Sequence, residues 1–285
     1  MKLFKTSGGI VLQVENNFLL VDDDWDALIN RDDLFSFLQK QTNAYRSVDQ
    51  KDLNLLLTEK LQAPIGKQEV WAAGVTYLRS RDARMEEAKT GGNADFYEKV
   101  YEAERPELFF KALPHRVAAH NEEVYIRRDS KWNVPEPELT LYINANGNIQ
   151  GYTIGNDMSS RDIEGENPLY LPQAKVYERS TALGPCLYIS RDLIPKETPI
   201  HILIERENKK VFSDQITLAR MKRSLTELAV YLFRECDFQY GCFLMTGTGM
   251  VPPSDFTLHP GDRVTITIDP IGSLINTVAM RPMRK

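Results

Sequence analysis

Alternating apolar and polar residues along most of the chain predict short β-strands, and helical spacing is confined to a few segments. Near the amino terminus the pattern predicts strands around Lys2–Lys5, Ile10–Val14 and Phe18–Val21, followed by two short helices. The proline and glycine within residues 63–66 indicate a boundary. We therefore expect a small α+β domain over residues 1–63 and a larger, strand-dominated domain over residues 64–285.

The larger domain starts with a strand pattern that we expect to continue to Arg81. Residues 82–105 are rich in charge and alanine and predict two helices joined at Gly91-Gly92, a candidate lid or dimer contact within an insertion at about 79–105. Asn208-Lys209 predicts a hairpin turn, and Ser224–Glu227 is a capping box that opens a helix. Together, the many predicted strands and few helices indicate a rolled antiparallel sheet rather than a βαβ fold.

One stretch, residues 134–162, combines two strand patterns with three carboxylates. Asn146-Gly147 favours a two-residue type I′ turn, and counting outward from it sets Glu136 opposite Asp157. Glu138 is two residues from Glu136 in the same strand, so all three carboxylates point to one face. We expect that face to be polar and open, with gaps at two glycines, and the opposite face to pack on the core through Leu139, Leu141, Ile143, Tyr152 and Ile154.

Three carboxylates so close together repel one another by roughly 1–4 kcal/mol per pair, and a bound cation relieves that repulsion. Ligands that are all oxygen suit Mg²⁺, Mn²⁺ or Ca²⁺ rather than zinc. The alternative is an ordinary acidic edge hairpin, which Pro135 and Pro137 also favour. The pattern of residues leaves both interpretations open.

Composition narrows the function classes. A net charge of -5 argues against nucleic acid as the main partner, and the clusters Arg127-Arg128 and Arg220–Arg223 are interpreted as solvated edges. The three cysteines have no metal or disulfide spacing, which suits a reducing cytoplasm. No apolar run approaches the ~20 residues of a membrane span, so we expect a cytoplasmic protein.

Two further motifs are open to more than one interpretation. Thr246–Gly249 lacks the lysine of a phosphate-binding loop, and it is either a turn that lets Thr248 approach a small anion or a plain inter-strand turn. Lys175 lies between Pro172 and Tyr177 and is either a base or carboxylate ligand, or a surface cation. No GxSxG elbow is present, which disfavours a serine triad.

Together these motifs resemble the fumarylacetoacetate hydrolase superfamily, in the order in which that family has them. The resemblance rests on Pro135–Leu139, Gly151–Asp162, Lys175 with Leu183-Gly184-Pro185, and Thr246–Gly249. It covers roughly residues 64–285 and implies a β-roll domain with a magnesium site at Glu136, Glu138 and Asp157. It also implies substrate contacts at Lys175, Thr248 and Lys111.

One departure from the family pattern bears on the reaction. Hydrolases of this family have a histidine on the loop after the first core strand, and no histidine occurs between Tyr77 and Lys111. The loop resembles instead the branch that removes water from 2-keto-3-deoxy sugar acids. The resemblance therefore implies a magnesium-dependent dehydratase, with Lys175 as base, Glu138 at the metal, and Ser80 and Arg81 as further substrate contacts.

Two alternatives stay open at this point: an acylpyruvate-type hydrolase or decarboxylase with Glu86, Glu87 or Glu104 as base, and a non-catalytic domain that binds a metal or a keto acid. The expected partners are a small 2-keto acid and a second copy of the chain, in a homodimer or homotetramer. Neither nucleic acid nor a membrane is expected.

Overall fold

The computed structural model describes residues 1–87 and 94–283, except for the side chains of residues 80, 83, 84, 86, 87 and 94–97. The described part is strand-dominated. Its strands are β1 (Lys2–Thr6), β2 (Gly9–Val14), β3 (Asn17–Val21), β4 (Arg46–Ser47), β5 (Glu69–Gly74), β6 (Glu107–Ala112), β7 (Val117–Ala118), β8 (Glu123–Ile126), β9 (Asn133–Val134), β10 (Pro137–Ile143), β11 (Ile149–Asp157), β12 (Ser159–Ser160), β13 (Thr181–Tyr188), β14 (Pro199–Arg206), β15 (Lys209–Thr217), β16 (Cys242–Met245), β17 (Arg263–Ile268) and β18 (Gly272–Met280).

The helices are short and lie between these strands. They are α1 (Trp25–Ile29), α2 (Leu34–Gln41), α3 (Gln50–Thr58), α4 (Leu78–Glu87), α5 (Ala94–Glu102), α6 (Arg161–Glu166), α7 (Leu171–Lys175) and α8 (Leu225–Phe233), with 3-10 turns at Pro114–Arg116, Pro168–Tyr170 and Leu218–Arg220. The capping box predicted at Ser224 opens α8, since the Ser224 side chain accepts from the Glu227 backbone N–H and the Glu227 side chain accepts from the Ser224 backbone.

Two large sheets form the body of the fold. The larger has the order β4-β3-β2-β1-β13-β11-β10-β16-β5-β6, with β7 paired to β13, and the smaller has the order β15-β14-β17-β18-β8. The main hydrophobic core lies between them and joins the apolar face of β10 and β11 to β14 and β17. The predicted strand-dominated α+β class is confirmed, and β10 and β11 lie in the middle of the larger sheet.

The amino-terminal residues form the predicted strands and helices, and these extend the larger sheet. Leu3 of β1 pairs with Leu187 of β13. A second core on the outer face of this sheet joins Leu3, Trp25 and Leu28 to Tyr142 and Phe243. The proposed division of the chain after residue 63 remains a prediction.

The register predicted for the hairpin β10–β11 is confirmed where the carboxylates lie. Glu138 pairs with Gly155, and the Asp157 N–H donates to the Glu136 carbonyl at 2.9 Å. Because side chains alternate between faces along a strand, this pairing sets the three carboxylates on one side of the sheet.

The turn of this hairpin differs from the predicted two-residue type I′ turn, which is wrong. The Asn144 and Asn148 backbones pair at 3.0 Å and enclose a three-residue loop, in which Gly147 has a φ of 80°. An extra residue on β11, Gln150, then forms a bulge that restores the predicted register. The longer turn and the bulge offset each other.

The longer turn is held by side chains that the dipeptide rule does not consider. Asp32, from the loop between α1 and α2, accepts hydrogen bonds from the amide groups of Asn144 and Asn146 at 2.6 Å each and from that of Asn148 at 2.9 Å. The three hydrogen bonds hold the pKa of Asp32 below its usual range. The amino-terminal residues therefore fix the far end of the hairpin.

The expected open face of the hairpin is also wrong, because both faces are buried. Gly155 gives no gap, since a Cβ there would lie 2.7 Å from the Met245 Cε and 2.4 Å from the Thr140 Oγ1.

Two other elements differ from expectation: α4 begins at Leu78, where a strand was predicted to continue, and the second hairpin turns at Glu207-Asn208 rather than one residue later. Asn93, which the sequence offers as an amino-terminal cap for the second helix of the insertion, lies outside the described residues.

Candidate metal centre

Three buried carboxylates meet at the end of the hairpin. Glu136, Glu138 and Asp157 each offer one oxygen, and these oxygens lie within 4.8 Å of one another. Glu138 and Asp157 belong to the central strands β10 and β11, and Glu136 immediately precedes β10. The register of the hairpin therefore determines this cluster.

Glu138 is the carboxylate with the least compensation. It has no ion pair with any described residue, and its Oε2 accepts a hydrogen bond of 2.5 Å from the Gly247 N–H. Burial, followed by the charges of Asp157 and Glu136, raises the pKa of Glu138 well above its usual range. The ionised form is therefore costly here unless a cation binds.

Gly247 has a conformation that suits glycine. Its φ is 92°, and a Cβ at this position would lie 2.0 Å from the Thr76 Oγ1. Thr76 Oγ1 donates to the Thr246 carbonyl at 2.7 Å, and the Thr246 N–H donates to the Leu139 carbonyl at 3.0 Å. The turn at Thr246–Gly249 is therefore fixed beside β10 with one N–H directed at Glu138.

Two cations bind the two oxygens of Glu136. Arg161 Nη2 lies 2.6 Å from Oε1, and Lys175 Nζ lies 2.6 Å from Oε2. Lys175 also contacts Asp157 Oδ2 at 3.2 Å and Ser159 Oγ at 2.6 Å. The ammonium group of Lys175 is thus shared between two of the three carboxylates.

Lys111 is the third buried cation. Its Nζ lies 2.8 Å from Asp157 Oδ1. It also donates to the hydroxyl of Ser180 at 3.2 Å and to the carbonyl of Lys175. Burial lowers the pKa of Lys111, and the charge of Asp157 opposes that effect. Lys111 therefore fixes both Asp157 and the end of the helix α7 that bears Lys175.

The residues present fit a magnesium ion. The donor set consists of carboxylate oxygens alone, which Mg²⁺ prefers. Asp157 Oδ1 is buried and contacts Lys111 Nζ at 2.8 Å, and because a carboxylate oxygen has two lone pairs, one remains available to a metal. Glu136, Glu138 and Asp157 would hold the ion.

The remaining predicted site residues lie at different distances from this centre. Thr248 is buried next to Gly247, and its Oγ1 accepts from the Met250 N–H at 3.2 Å. Arg81 pairs with Asp82 at 2.7 Å and lies 5.1 Å from the centroid of the Tyr101 ring, and none of its described contacts is with the carboxylates. The side chain of Ser80 lies outside the described residues.

Of the three alternative bases, only Glu104 has a described side chain. The side chains of Glu86 and Glu87 lie outside the described residues. Glu104 Oε1 accepts from the Tyr231 hydroxyl at 3.3 Å, so this carboxylate contacts α8. None of the described contacts of Glu104 is with the metal centre.

Sequence reasoning missed two side chains and one backbone group at the centre. Arg161 and Ser159 both lie in the run Gly151–Asp162, and the sequence predicts no role for either. Ser159 is two residues from Asp157, which is the spacing that puts two side chains on one face of a strand. Arg161 begins α6 and is 2 % exposed, and the Gly247 N–H has no side-chain signal at all.

Two sheets enclose a core, and three buried carboxylates and two lysines meet at one point of the fold. This arrangement defines a metal-dependent β-roll enzyme. The chain belongs to the fumarylacetoacetate hydrolase family, since the family described as Fumarylacetoacetate (FAA) hydrolase C-terminal matches residues 70–279. The expected family membership is confirmed.

Two curated relatives and one solved structure specify the likeness further. The chain is 46 % identical over 216 residues to a probable 2-keto-3-deoxyxylonate dehydratase of Haloferax volcanii, covering 75 % of this chain and 73 % of that one. It is 43 % identical over 225 residues to the 2-dehydro-3-deoxy-D-arabinonate dehydratase of Saccharolobus solfataricus, covering 78 % and 75 %. A solved 2-keto-3-deoxy-D-arabinonate dehydratase, complexed with magnesium and 2,5-dioxopentanoate, has a TM-score of 0.84 at 35 % identity, over 99 % of this chain and 100 % of that one.

Proposed function

We propose that the protein is a magnesium-dependent dehydratase that converts 2-dehydro-3-deoxy-D-arabinonate into 2,5-dioxopentanoate and water. The observation that supports this most directly is the amine of Lys175, which lies within hydrogen-bond distance of two carboxylates of the metal centre. A base beside a metal is the arrangement that abstraction of a proton next to a keto group needs. The names of the two relatives and the ligands of the solved structure support the same reaction.

The reaction balances without an oxidant or a reductant. The C3–H bond breaks and its proton passes to the base, and the C4–O bond breaks so that the hydroxyl leaves as water. A proton then leaves C5 and another leaves the C5 hydroxyl, while C3 and C4 each take up one proton, so that the primary alcohol becomes the aldehyde of the product. The carbon skeleton stays intact throughout.

Bound magnesium would polarise the keto group and stabilise the negative charge that develops on its oxygen. Lys175 is the proposed acceptor of the C3 proton, and Ser159, at 2.6 Å from Nζ, orients the side chain. Arg161 holds Glu136 in place and the Gly247 N–H holds Glu138. Lys111 balances the charge of Asp157.

Three further residues are proposed as substrate contacts. Thr248 lies beside Gly247 and offers a hydroxyl group next to the metal centre. Arg81 and Ser80 belong to α4, which follows Thr76 and Tyr77 directly. Their charge and hydroxyl suit the carboxylate and hydroxyls of a sugar acid.

Product analysis tests the proposal. Purified protein is incubated with a panel of 3-deoxy-2-keto acids and acylpyruvates, with Mg²⁺ and with a chelator. We expect Mg²⁺-dependent formation of 2,5-dioxopentanoate from the five-carbon substrate, with the carbon skeleton intact. Products with shortened skeletons would indicate hydrolysis or decarboxylation, and binding without turnover of any compound would indicate a non-catalytic role.

The setting of this reaction is also a proposal. We propose pentose catabolism in the cytoplasm and a homodimer or homotetramer as the active form. No helix in the described part of the chain is long and apolar enough to cross a membrane. Leu113, which directly follows the edge strand β6, and Leu169 are exposed apolar side chains, and their exposure supports association of subunits. Light scattering after size-exclusion chromatography tests the oligomeric state.

A further inference from the structure

The basic segment Arg220–Arg223 is more than the solvated edge that the sequence predicts. Arg223 is 8 % exposed, so the prediction is wrong for this residue. Lys222 and Arg223 both reach the carboxyl-terminal end of helix α5, which belongs to the predicted lid. The segment therefore joins two parts of the fold that are far apart in the sequence.

The contacts are with backbone carbonyl groups in the last turn of α5 and directly after it, where carbonyls lack partners within the helix. Arg223 Nη1 donates to the Glu104 carbonyl at 2.7 Å, and its Nη2 donates to the Ala103 carbonyl. Lys222 Nζ donates to the Tyr101 carbonyl. Two cations at this end also interact favourably with the helix dipole.

The same segment is attached to the backbone that borders the metal centre. The Lys222 N–H donates to the Thr76 carbonyl at 2.9 Å, and Met221 forms a β-bridge with Tyr77. Thr76 in turn donates to the Thr246 carbonyl, directly before Gly247. The hydrogen bonds from Lys222 to Thr76 and from Thr76 to Thr246 therefore connect the end of α5 to Gly247, whose N–H holds Glu138.

Arg223 is itself held rigidly. Its Nη1 lies 2.8 Å from Glu227 Oε1, and Glu227 is the acidic member of the capping box that opens α8. Because α8 is packed on the main core through Leu228 and Leu232, Arg223 is a fixed point against which the end of α5 is placed.

The contact continues from α5 to α4. Lys222 Nζ lies 4.2 Å from the centroid of the Tyr101 ring, and Arg81 Cζ lies 5.1 Å from it. Tyr101 also packs with Val75 and Met85 in a small separate apolar cluster. Tyr101 thus connects the basic segment to Arg81, which is a proposed substrate contact.

We propose that Arg223 and Lys222 are positioning residues for substrate binding. They hold the carboxyl-terminal end of α5 and, through Tyr101, set the place of Arg81 relative to the metal centre. Neither residue touches the three carboxylates in the described structure, so their effect is on substrate affinity rather than on the chemical step. The kinetic part of this inference rests on the proposed dehydratase function.

Two measurements on the magnesium-loaded protein test the proposal, with Arg223→Met, Arg223→Lys and Arg220→Met as variants. Arg220 is the matched control, because it belongs to the same segment, is exposed, and its side chain has no hydrogen bond or ion pair with any described residue. The first measurement is kcat and KM for 2-dehydro-3-deoxy-D-arabinonate. The second is amide hydrogen exchange in peptides that cover residues 78–87 and 94–104, with peptides of β10 and β11 as internal reference.

We expect Arg223→Met to raise KM about tenfold, the loss expected for hydrogen bonds made by a charged group, with kcat within about twofold of its original value. Exchange over residues 94–104 should become faster, while the β10 and β11 peptides keep their protection. Arg223→Lys should recover part of both effects, because lysine retains the charge but not the two-pronged geometry. Arg220→Met should match the unmodified protein.

An unchanged KM despite faster exchange would overturn the proposal, as would a fall in kcat at constant KM. If Arg223→Met does not fold, the exposed Lys222→Met replaces it, with a smaller rise in KM expected and the same overturning results. The two proposals fail separately. If the unmodified protein does not turn over this substrate, the dehydratase proposal fails, and the exchange data still decide whether Arg223 anchors α5.

Discussion

Removing the guanidinium group of Arg161 should destabilise the metal-free protein strongly. Arg161 Nη2 lies 2.6 Å from Glu136 Oε1, and the side chains are 2 % and 4 % exposed. Truncating one partner of such a buried ion pair costs about 3–5 kcal/mol, because the other charge remains buried without full compensation. Lys175 still contacts the other oxygen of Glu136, which places the cost of Arg161→Met near the lower end of this range.

The assay is thermal unfolding of Arg161→Met after treatment with chelator and again in excess Mg²⁺. At about 2 °C per kcal/mol for a chain of this size, a cost near the lower end of that range should lower Tm by about 6–8 °C without metal. The fall should be smaller with Mg²⁺, because a cation bound to Glu136 replaces part of the lost attraction. Arg161→Lys, which keeps the charge but not the guanidinium geometry, is the control. Its Tm should lie between those of the unmodified protein and Arg161→Met.

A double-mutant cycle with Glu136→Gln identifies the source of the effect. If the ion pair is responsible, Arg161→Met should cost much less in the Glu136→Gln background. A fall in Tm of less than about 2 °C without metal, or an equal fall in both backgrounds, would refute the reasoning.

Three further predictions concern the metal centre. Glu138→Gln should lower Mg²⁺-dependent turnover by about 10²-fold or more while circular dichroism stays unchanged, and full activity would contradict the site assignment. Lys175→Met should abolish exchange of the C3 protons with deuterated water, followed by NMR, and near-normal exchange would assign the base elsewhere. Since Glu138 has a pKa in the fold above that in the unfolded chain, its contribution to stability is fully present below the unfolded pKa and is lost as pH rises through the folded value. Mg²⁺ should therefore raise Tm more at neutral than at acidic pH and should release a proton on binding, and calorimetry in two buffers would detect no proton if this is wrong.

The sequence predicts the hairpin register well because two constraints agree there. Burial of the apolar face of β10 and β11 fixes which side chains point inward, and a shift of one residue would reverse them. The Asn146-Gly147 dipeptide adds a local signal, and that signal selects the wrong turn. Asp32 holds the longer turn through contacts from a distant part of the chain, and no local rule contains them.

The parts of the site that sequence reasoning missed depend on tertiary contacts. Arg161 and the Gly247 N–H become partners of the carboxylates only when α6 and the turn after β16 are placed against the hairpin. The basic segment reads as solvent-exposed because charge clusters usually are. Arg223 is buried instead, because a helix end supplies carbonyl acceptors for its guanidinium group.

The central position of β10 and β11 has a consequence for the lifetime of the metal-binding geometry. Each of these strands has a hydrogen-bonded neighbour on both sides. Strands in this position belong to the part of a protein that opens only when the whole structure opens, whereas edge strands and termini fray far more often. The metal ligands on these strands should therefore not be affected by fraying. The metal-binding geometry should persist for as long as the protein stays folded.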